Sequence, residues 1–212
     1  MGRYLEAKCK LCRREGMKLF LKGTRCNTEK CAFVKRPYSP GFHGKGTGRQ
    51  RKASYYAQQL REKQKVKRMY GMLERQFRRY YTIAAKTKGA TGRKLIEMLE
   101  RRLDNVIFRA LFAFSRTEAR QIVKHGFVFV NGRRVDIPSA QVKENDEIHI
   151  KANEKYTKLI KETIEINSKG RSVATWLKVD KENLKLQIVR LPEKEDLVLP
   201  ISEQLIVELY SK

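Results

Sequence analysis

The chain has 212 residues, of which 48 are Lys or Arg and 23 are Asp or Glu, giving a formal charge of +25 at neutral pH. An apolar share of 41% is enough for a core and argues against wholesale disorder. Membrane-spanning helices need roughly 20 apolar residues, which no run approaches, and the apolar segment of a signal peptide is missing. We therefore expect a soluble, cytosolic protein of one large or two small domains. Its partner is a polyanion, either nucleic acid or an anionic membrane surface.

The charge is concentrated in the first half of the chain. Residues 1–100 carry 27 basic and 7 acidic side chains, a net charge of +20. Residues 101–212 carry 21 basic and 16 acidic side chains, a net charge of only +5. We expect the contact with the polyanion to be concentrated in the first half.

All four cysteines lie within the first 31 residues: Cys9, Cys12, Cys26 and Cys31. Two close pairs separated by a short loop are the spacing with which four thiolates surround one tetrahedral Zn²⁺. Four basic residues nearby would lower the thiol pKa values and offset the charge of the site: Lys8, Lys10, Arg13 and Arg14. Two disulfides are the alternative, which a reducing cytosol disfavours. The spacing predicts one structural zinc ion with four protein ligands and no open catalytic position.

A glycine-rich stretch follows the cysteines. Residues 36–49 contain two prolines and four glycines, which exclude regular structure and predict an extended loop. The run Gly44–Gly48 lacks the complete nucleotide-binding P-loop pattern, and no apolar strand precedes it. The stretch is either a cationic loop that follows a phosphate backbone or a plain linker.

Residues 54–88 have a helical pattern. One apolar face recurs at three- and four-residue spacing: Leu73, Phe77, Tyr80 and Ala84. The basic residues Arg75, Arg78, Arg79 and Lys86 fall outside this face. Tyrosines at helical spacing belong either to the core or to base-stacking surfaces, and five lie here: Tyr55, Tyr56, Tyr70, Tyr80 and Tyr81.

A second amphipathic helix is predicted after Gly92, with one apolar face: Leu95, Leu99, Leu103 and Ile107. Ser115 and Glu118 then form an S-x-x-E capping box that opens a further helix. The spacing places three cations on the side opposite its apolar residues: Arg116, Arg120 and Lys124. Gly126 is a typical helix stop after Lys124 and His125.

Short strands are predicted in the rest of the chain. Asn131-Gly132 predicts a type I′ turn in a hairpin whose tip carries Arg133 and Arg134. Residues 146–151, 176–179 and 184–192 have strand patterns. The basic helix face and the hairpin tip together form a ridge suited to RNA backbone. His125 lacks a nucleophile or carboxylate motif, which favours a capping or phosphate-contacting role.

Three segments resemble the small RNA-binding module named after bacterial small-subunit ribosomal protein four: Arg101–Val106, Ser115–Gly126 and Val130–Ser139. The module also occurs in tyrosyl-tRNA synthetases, pseudouridine synthases and heat-shock RNA binders. The flanking residues 59–80 and 203–212 resemble the ribosomal protein family itself, so that the resemblance extends over essentially the whole chain. With four cysteines, the chain resembles the zinc-bearing branch of that family.

The resemblance implies an α+β fold. A mostly helical domain carries a zinc-binding N-terminal extension and an inserted RNA-binding module of two helices packed on a short antiparallel sheet. In this chain the extension and loop correspond to residues 1–44, and the helical domain to residues 45–93 plus 186–212. The inserted domain corresponds to residues 94–185, with the module at about residues 101–165.

The resemblance further implies an early-assembling structural protein that organises a multi-helix junction in the 5′ domain of small-subunit ribosomal RNA. Such a protein neighbours small-subunit protein five, lies where mRNA enters and contributes to translation accuracy in the cytoplasmic ribosome. It has no enzymatic activity, membrane contact or small-molecule substrate. Charge and resemblance together predict the following RNA-contacting residues: Arg36, His43, Lys45, Arg49, Arg51, Lys63, Lys67, Arg68, Arg75, Arg78, Arg79, Arg101, Arg102, Arg116, Arg120, Lys124, His125, Arg133 and Arg134.

Two other classes of protein fit the sequence less well. An RNA-modifying enzyme with an appended module needs a further catalytic domain, for which no room remains. A zinc-finger DNA regulator needs a base-reading helix directly after the cysteines, where the Pro/Gly loop lies instead. The acidic segment 193–212 has two basic and five acidic side chains and either meets solvent or a neighbouring protein.

Overall fold

The computed structural model describes residues 4–45, 53–196 and 200–211. The chain divides into two compact units, the first comprising Met1–Leu95 with Leu199–Lys212 and the second comprising Ile96–Val198. The helices are α1 (Lys8–Glu15), α2 (Ala32–Lys35), α3 (Tyr55–Met69), α4 (Glu74–Lys86), α5 (Thr91–Glu100), α6 (Leu103–Arg109), α7 (Arg116–Lys124), α8 (Glu154–Ser168) and α9 (Glu203–Tyr210). The strands are β1 (Val128–Val130), β2 (Arg133–Arg134), β3 (Glu147–Ile150), β4 (Leu177–Asp180) and β5 (Lys185–Ile188). The predicted α+β class is confirmed.

The first unit begins with a short helical extension. Helix α1 ends at Gly16, whose φ of 68° is in the left-handed region that glycine tolerates, and the Gly16 amide donates to the Cys12 carbonyl. A 3₁₀ helix at Gly23–Asn27 and the single turn of α2 follow. Both α2 and α3 pack against α1, so the extension is tied to the rest of its unit.

The helical pattern of residues 54–88 is two helices. The Ser54 hydroxyl accepts a hydrogen bond from the Ala57 amide at 3.2 Å and caps α3. Helix α3 ends at Met69, and Gly71, with a φ of 62°, turns the chain into α4. The expected apolar face is confirmed for Phe77, but the side chain of Leu73 is 45% exposed because Leu73 precedes the first turn of α4.

The acidic C-terminal segment packs within the first unit. Helix α9 lies against α3, and its Ile206 is fully buried. The ring of Tyr210 stacks on Tyr81 with centroids 4.6 Å apart, and Glu208 accepts a hydrogen bond from Gln59 at 3.0 Å. Helix α9 is therefore part of a helical core and is not a solvated tail.

The second unit contains one antiparallel sheet in the order β2-β1-β3-β5-β4. Apolar side chains of α6 and α7, such as Ile107 and Ala119, are fully buried and join the sheet residue Ile148 in one hydrophobic core. Trp176 is also fully buried in this core. The sheet and the two helices match the predicted module.

Two local predictions in this unit are confirmed. Strands β1 and β2 pair through Val130 and Arg133, and the two turn residues Asn131 and Gly132 have φ values of 48° and 79°, as a type I′ turn requires. The Ser115 hydroxyl accepts from the Glu118 amide at 3.3 Å and caps α7. The Glu118 carboxylate accepts from the amide of residue 114 at 2.7 Å, so the reciprocal bond lies one residue before the cap.

Three features differ from the sequence predictions. The helix expected to carry Leu95 to Ile107 is two helices, because the chain extends at Arg102 and forms an antiparallel bridge with Gln141. Helix α8 was not predicted, although Asn153 caps it and Ile160 and Ile164 recur at helical spacing. The predicted boundary between residues 185 and 186 falls within β5, which pairs with β3 and β4 and stays with the second unit.

In the part of the chain that the structure describes, none of the helices has the length and apolar character needed to cross a membrane.

One carboxylate connects three elements of the first unit and generates a pH prediction. Glu74 accepts hydrogen bonds from Lys63 at 2.8 Å, Lys67 at 2.9 Å and the Tyr210 hydroxyl at 2.8 Å. Burial alone would raise the pKa of Glu74, but these three hydrogen bonds lower it to about 2. Because the folded-state pKa lies below the ordinary glutamate value of 4.5, the carboxylate stabilises the fold above that value, and the contribution disappears as pH falls toward 2.

We expect Glu74→Gln to lower the free energy of unfolding by about 1 kcal/mol at pH 7, since the side chain is partly exposed and solvent screens the pairs. The difference from the wild type shrinks as pH falls from 4.5 toward 2, because the Glu74 carboxyl is protonated in the unfolded chain while it stays charged in the fold. Urea unfolding of both proteins, followed by circular dichroism between pH 3 and 7, measures this difference in the free energy of unfolding. Glu29→Gln, at an exposed glutamate of the same unit, is the matched control. Equal effects of both substitutions, or a Glu74 effect independent of pH, would contradict the prediction.

Candidate nucleic-acid interface and cysteine cluster

The four cysteines are free thiols contributed by three neighbouring elements. Cys9 and Cys12 lie on α1, Cys26 lies in the 3₁₀ helix, and Cys31 precedes α2. Cys12, Cys26 and Cys31 are each 7% exposed, and Cys9 is half-buried. The Lys22 amide donates to the Cys26 sulfur at 3.3 Å, and the Leu19 amide donates to Cys12.

Burial dominates the thiol electrostatics. Burial raises the pKa of Cys12 and of Cys26, and the neighbouring thiols raise both further. The expectation that nearby basic residues lower the thiol pKa values is therefore wrong for these two. The mutual influence of the four sulfur groups shows that they share one electrostatic environment.

The donor chemistry of the cluster fits zinc, whose structural sites use four cysteine thiolates with amide donors around the sulfurs. Among residues 4–45, 53–196 and 200–211, however, no three His, Cys, Asp or Glu side chains are grouped closely enough to hold a metal ion. The thiols would have to draw together to enclose an ion.

A cationic cleft lies in the same extension. It has a volume of about 480 Å³, and five of its six lining side chains are cationic: Arg13, Arg25, Lys30, Lys35 and Arg36, with Ala32 as the sixth. Arg13 donates from Nε to the Tyr38 carbonyl at 2.9 Å, and its guanidinium lies 4.8 Å from the centroid of the Tyr38 ring. Within the described residues, none of the five cations forms a salt bridge. We therefore regard the cleft as a candidate anion site.

Sequence reasoning found only Arg36 of these five. The signal for the others was present, because Arg13, Arg25, Lys30 and Lys35 all flank the cysteines. Predicted contacts in the loop that follows remain predictions: His43 and Lys45 lie in a 3₁₀ helix at Phe42–Lys45, and Arg49 and Arg51 lie outside the described residues.

Helix α4 presents a second set of predicted cations. Arg75, Arg78 and Arg79 are exposed, and none forms a salt bridge within the described residues. Their positions opposite the buried Phe77 and Ala84 follow from the helical period. These three arginines are free to meet an external anion.

The basic residues of α3 have a different role. Lys63 is 9% exposed and Lys67 is partly buried, and both bind Glu74. Arg68 forms a short ion pair with Glu15, whose side chain is 1% exposed. These contacts engage Lys63, Lys67 and Arg68 inside the unit and partly offset their charge, and the RNA contacts of the three residues stay predictions.

Two predicted arginines of the second unit are buried. The guanidinium of Arg102 is fully buried and binds both oxygens of Asp104, at 3.0 and 2.7 Å. Arg120 is 8% exposed and lies 3.8 Å from the same carboxylate. In the free protein these two guanidinium groups are buried against Asp104 and present little surface to an external phosphate.

Arg101 and Arg116 are partly exposed and tied to their own unit. Arg101 donates to the Val142 carbonyl at 2.8 Å and pairs with Glu97 at 2.9 Å. Arg116 donates to the Asn105 side chain at 2.8 Å, and its guanidinium lies 4.6 Å from the centroid of the Phe108 ring. Of the predicted ridge, Arg120 is buried, Arg116 is partly exposed and Lys124 is exposed, and the RNA contacts of the ridge stay a prediction.

A second guanidinium covers the same Phe108 ring and was missed by the sequence analysis. Arg171 also lies 4.6 Å from the ring centroid and donates to the Ala113 carbonyl at 3.1 Å. Burial lowers the pKa of Arg171, and the charges of Arg116 and Arg109 lower it further. Arg171 lies three residues beyond the end of α8, a helix that the sequence did not predict, so no local signal placed it near the module.

The exposed cations of the second unit lie at the end of α7 and on the hairpin. Lys124, His125, Arg133 and Arg134 are all exposed, as predicted. Gly126 has a φ of 74°, and a Cβ atom there would lie 2.0 Å from the Arg134 guanidinium. Glycine thus lets the Arg134 side chain lie against the end of α7, which brings the hairpin cation next to Lys124 and His125.

Comparison with known proteins gives a consistent result over the whole chain. Residues 3–100 match the model of the ribosomal protein S4/S9 N-terminal domain, and residues 101–148 match the model of the S4 domain. The small ribosomal subunit protein uS4 of Thermodesulfovibrio yellowstonii is 55% identical over 212 residues, which cover 100% of both chains. The proteins of the same name from Solidesulfovibrio magneticus and Thermus thermophilus are 54% and 52% identical over the same full length.

Proposed function

Since the chain belongs to the ribosomal protein S4 family and is therefore a structural protein of the small ribosomal subunit and not an enzyme, we propose how it binds ribosomal RNA. In the first unit, the cationic cleft and the exposed face of α4 bind RNA phosphates. In the second unit, the end of α7 and the hairpin do so. As a ribosomal component of this family, the protein acts in the cytoplasm.

The observation that carries this proposal is that the cations of these surfaces form no salt bridge in the part of the chain that the structure describes. The lining of the cleft has five cations and no carboxylate. Phosphate oxygens accept charge-assisted hydrogen bonds from arginine and lysine, and such contacts fix the register of a protein on RNA without reading sequence. Five like charges around one cleft repel each other until an anion enters, so a bound RNA backbone stabilises this arrangement.

The family resemblance supports finer proposals. We propose that the protein joins the subunit early and organises a multi-helix junction in the 5′ domain of the small-subunit ribosomal RNA. It neighbours small-subunit protein five, lies where mRNA enters and contributes to translation accuracy. The support is the match along the full length of the chain, which covers both the module and its flanking helices.

We also propose that one structural Zn²⁺ binds Cys9, Cys12, Cys26 and Cys31. The support is the donor set of four free thiols with two amide donors, held between α1 and α2. When bound, the ion supplies a cross-link between elements that bury few apolar side chains. The cysteines and the surrounding backbone hold the extension in place, and the neighbouring cleft with it.

The cleft predicts a specific salt dependence. We compare Lys30→Gln/Lys35→Gln/Arg36→Gln with a triple variant that removes the same charge outside the cleft, Lys10→Gln/Arg14→Gln/Lys22→Gln. Affinity for a transcript of the 5′ domain is measured between 50 and 300 mM salt. The slope of log K against log[salt] falls by about 2 in the cleft variant, because each phosphate that is no longer bound lowers it by roughly 0.7–0.9. The control variant retains most of the wild-type slope.

Two outcomes distinguish an error in the cleft assignment from an error in the proposed function. Equal slopes for both triple variants would contradict the cleft as a phosphate site while leaving ribosomal RNA binding intact. If the wild type binds duplex DNA or an unrelated transcript as tightly as the 5′ domain at the same salt, the proposed function is wrong.

The zinc proposal predicts one zinc ion per chain. Metal analysis of protein purified without chelators gives the stoichiometry, and a thiol reagent counts four reactive cysteines only after chelation in denaturant. Cys12→Ser/Cys26→Ser, which removes one ligand from each pair, abolishes zinc binding and increases hydrogen exchange in residues 8–35. Exchange in α6 and α7 is the internal control, because these helices belong to the other unit. A zinc-free wild type with four reactive thiols would contradict the proposal.

A further inference from the structure

Three aromatic rings meet at one edge of the second unit. The rings of His125 and Phe127 are stacked with centroids 5.7 Å apart. The ring of Tyr156 lies 5.0 Å from that of Phe127 and 6.3 Å from that of His125. We call these three residues the aromatic platform. They come from the end of α7, the residue before β1 and the first turn of α8.

The aromatic platform has a buried base and an exposed rim. Phe127 is partly buried and packs against the hydrophobic core. His125 is exposed, and 37% of Tyr156 is exposed. Phe127 thus anchors two rings that reach solvent, and solvent-facing aromatic rings on a fixed base are suited to receiving a further planar ring.

Hydrogen bonds hold the backbone of each ring-bearing residue in place. The His125 amide donates to the Gln121 carbonyl at 2.8 Å. The Phe127 carbonyl accepts from the Lys151 amide at 2.8 Å, where the β1–β3 pairing begins. The Tyr156 amide donates to the capping side chain of Asn153 at 3.1 Å. The aromatic platform is therefore preorganised, and stacking a ligand on it costs little entropy for ordering the backbone.

Cations surround the aromatic platform. Lys124 directly precedes His125 and is exposed. The Arg134 guanidinium lies against Gly126, the residue between His125 and Phe127. The Lys151 ammonium lies 5.1 Å from the centroid of the Phe129 ring, two residues from Phe127. Two exposed carboxylates are near in sequence: Asp136, two residues after Arg134, and Glu154, at the start of α8.

We propose that the aromatic platform stacks one unpaired base of the RNA, while Lys124 and Arg134 bind the adjacent phosphates. This proposal rests on the ribosomal RNA binding proposed above and adds the chemistry of a base contact. Proteins recognise single-stranded RNA by combining stacked aromatic rings with cations along the backbone. The excess of cations around the rings favours RNA over an apolar protein surface as the occupant.

Stacking and phosphate binding have different signatures, which makes the proposal testable. Removing a ring that stacks on a base weakens binding, but the number of counterions released on binding stays the same. The affinity therefore falls while the salt slope is unchanged. Removing a cation that binds phosphate changes both. Variants of Tyr156 and His125 therefore distinguish a stacking surface from one more cationic patch.

The variants are Tyr156→Leu, which keeps apolar bulk and removes the ring, and Tyr156→Phe, which keeps the ring. His125→Leu removes an exposed ring and is the second test should Tyr156→Leu disturb the fold. Leu159→Ala, at a side chain of the same helix that is 49% exposed, is the matched control. Binding to the 5′-domain transcript is measured over a range of salt concentrations, with a thermal melt of each variant.

We expect Tyr156→Leu and His125→Leu each to weaken binding about 5- to 30-fold with an unchanged salt slope. Tyr156→Phe and Leu159→Ala stay within about twofold of the wild type. Wild-type affinity in both ring-removing variants, or weaker binding accompanied by a reduced slope, would overturn the aromatic platform as a stacking site. A wild type that does not prefer the 5′-domain transcript would instead contradict the proposed function.

Discussion

Charge balance constrains the whole structure, because a chain with a formal charge of +25 has too few carboxylates to pair each cation. Three carboxylates each bind two cations: Glu15 with Arg61 and Arg68, Glu74 with Lys63 and Lys67, and Asp104 with Arg102 and Arg120. Burial raises the pKa of Glu15 in spite of its arginines, whereas hydrogen bonds hold the pKa of Glu74 at about 2. Such pairs cost desolvation, and removing one partner leaves an uncompensated buried charge.

This pairing determines which cations remain for RNA. In the first unit, the carboxylates offset part of the charge of α3, whereas the cations of the cleft and of the outer face of α4 form no salt bridge among the described residues. In the second unit, Asp104 binds the two buried arginines and offsets part of their charge, and the cations at the end of α7 and on the hairpin stay exposed. Function therefore follows from where counter-charge is missing, more than from where basic residues are frequent.

Much of the fold was predictable because its signals are local. The capping box at Ser115 and Glu118 marks the start of α7, and Asn131-Gly132 specifies the hairpin turn through two positive φ values. The long motifs of the module then indicated the family. Local signals could not find α8, since its helical period is carried by a few apolar residues between charged ones.

The differences between the predicted and the observed surroundings of these cations have one physical cause. Spacing shows that Arg116 and Arg120 share a face of α7, but it does not show that Asp104 and Asn105 of α6 cover that face. Lys63 and Lys67 likewise appeared free because their partner Glu74 lies beyond a turn, on the next helix. The cysteine spacing indicates zinc chemistry, while the burial that dominates the thiol pKa values depends on packing that spacing does not contain.

Lysine-acetylation footprinting by mass spectrometry, with and without the 5′-domain transcript, tests the central claim that internal carboxylates select the RNA-binding cations. We expect the exposed Lys30 and Lys35 to react rapidly in the free protein and to be protected by RNA. Lys63, which is 9% exposed and bound to Glu74, reacts slowly in both states. Rapid acetylation of Lys63 in the free protein, together with unprotected Lys30 and Lys35 in the complex, would contradict it.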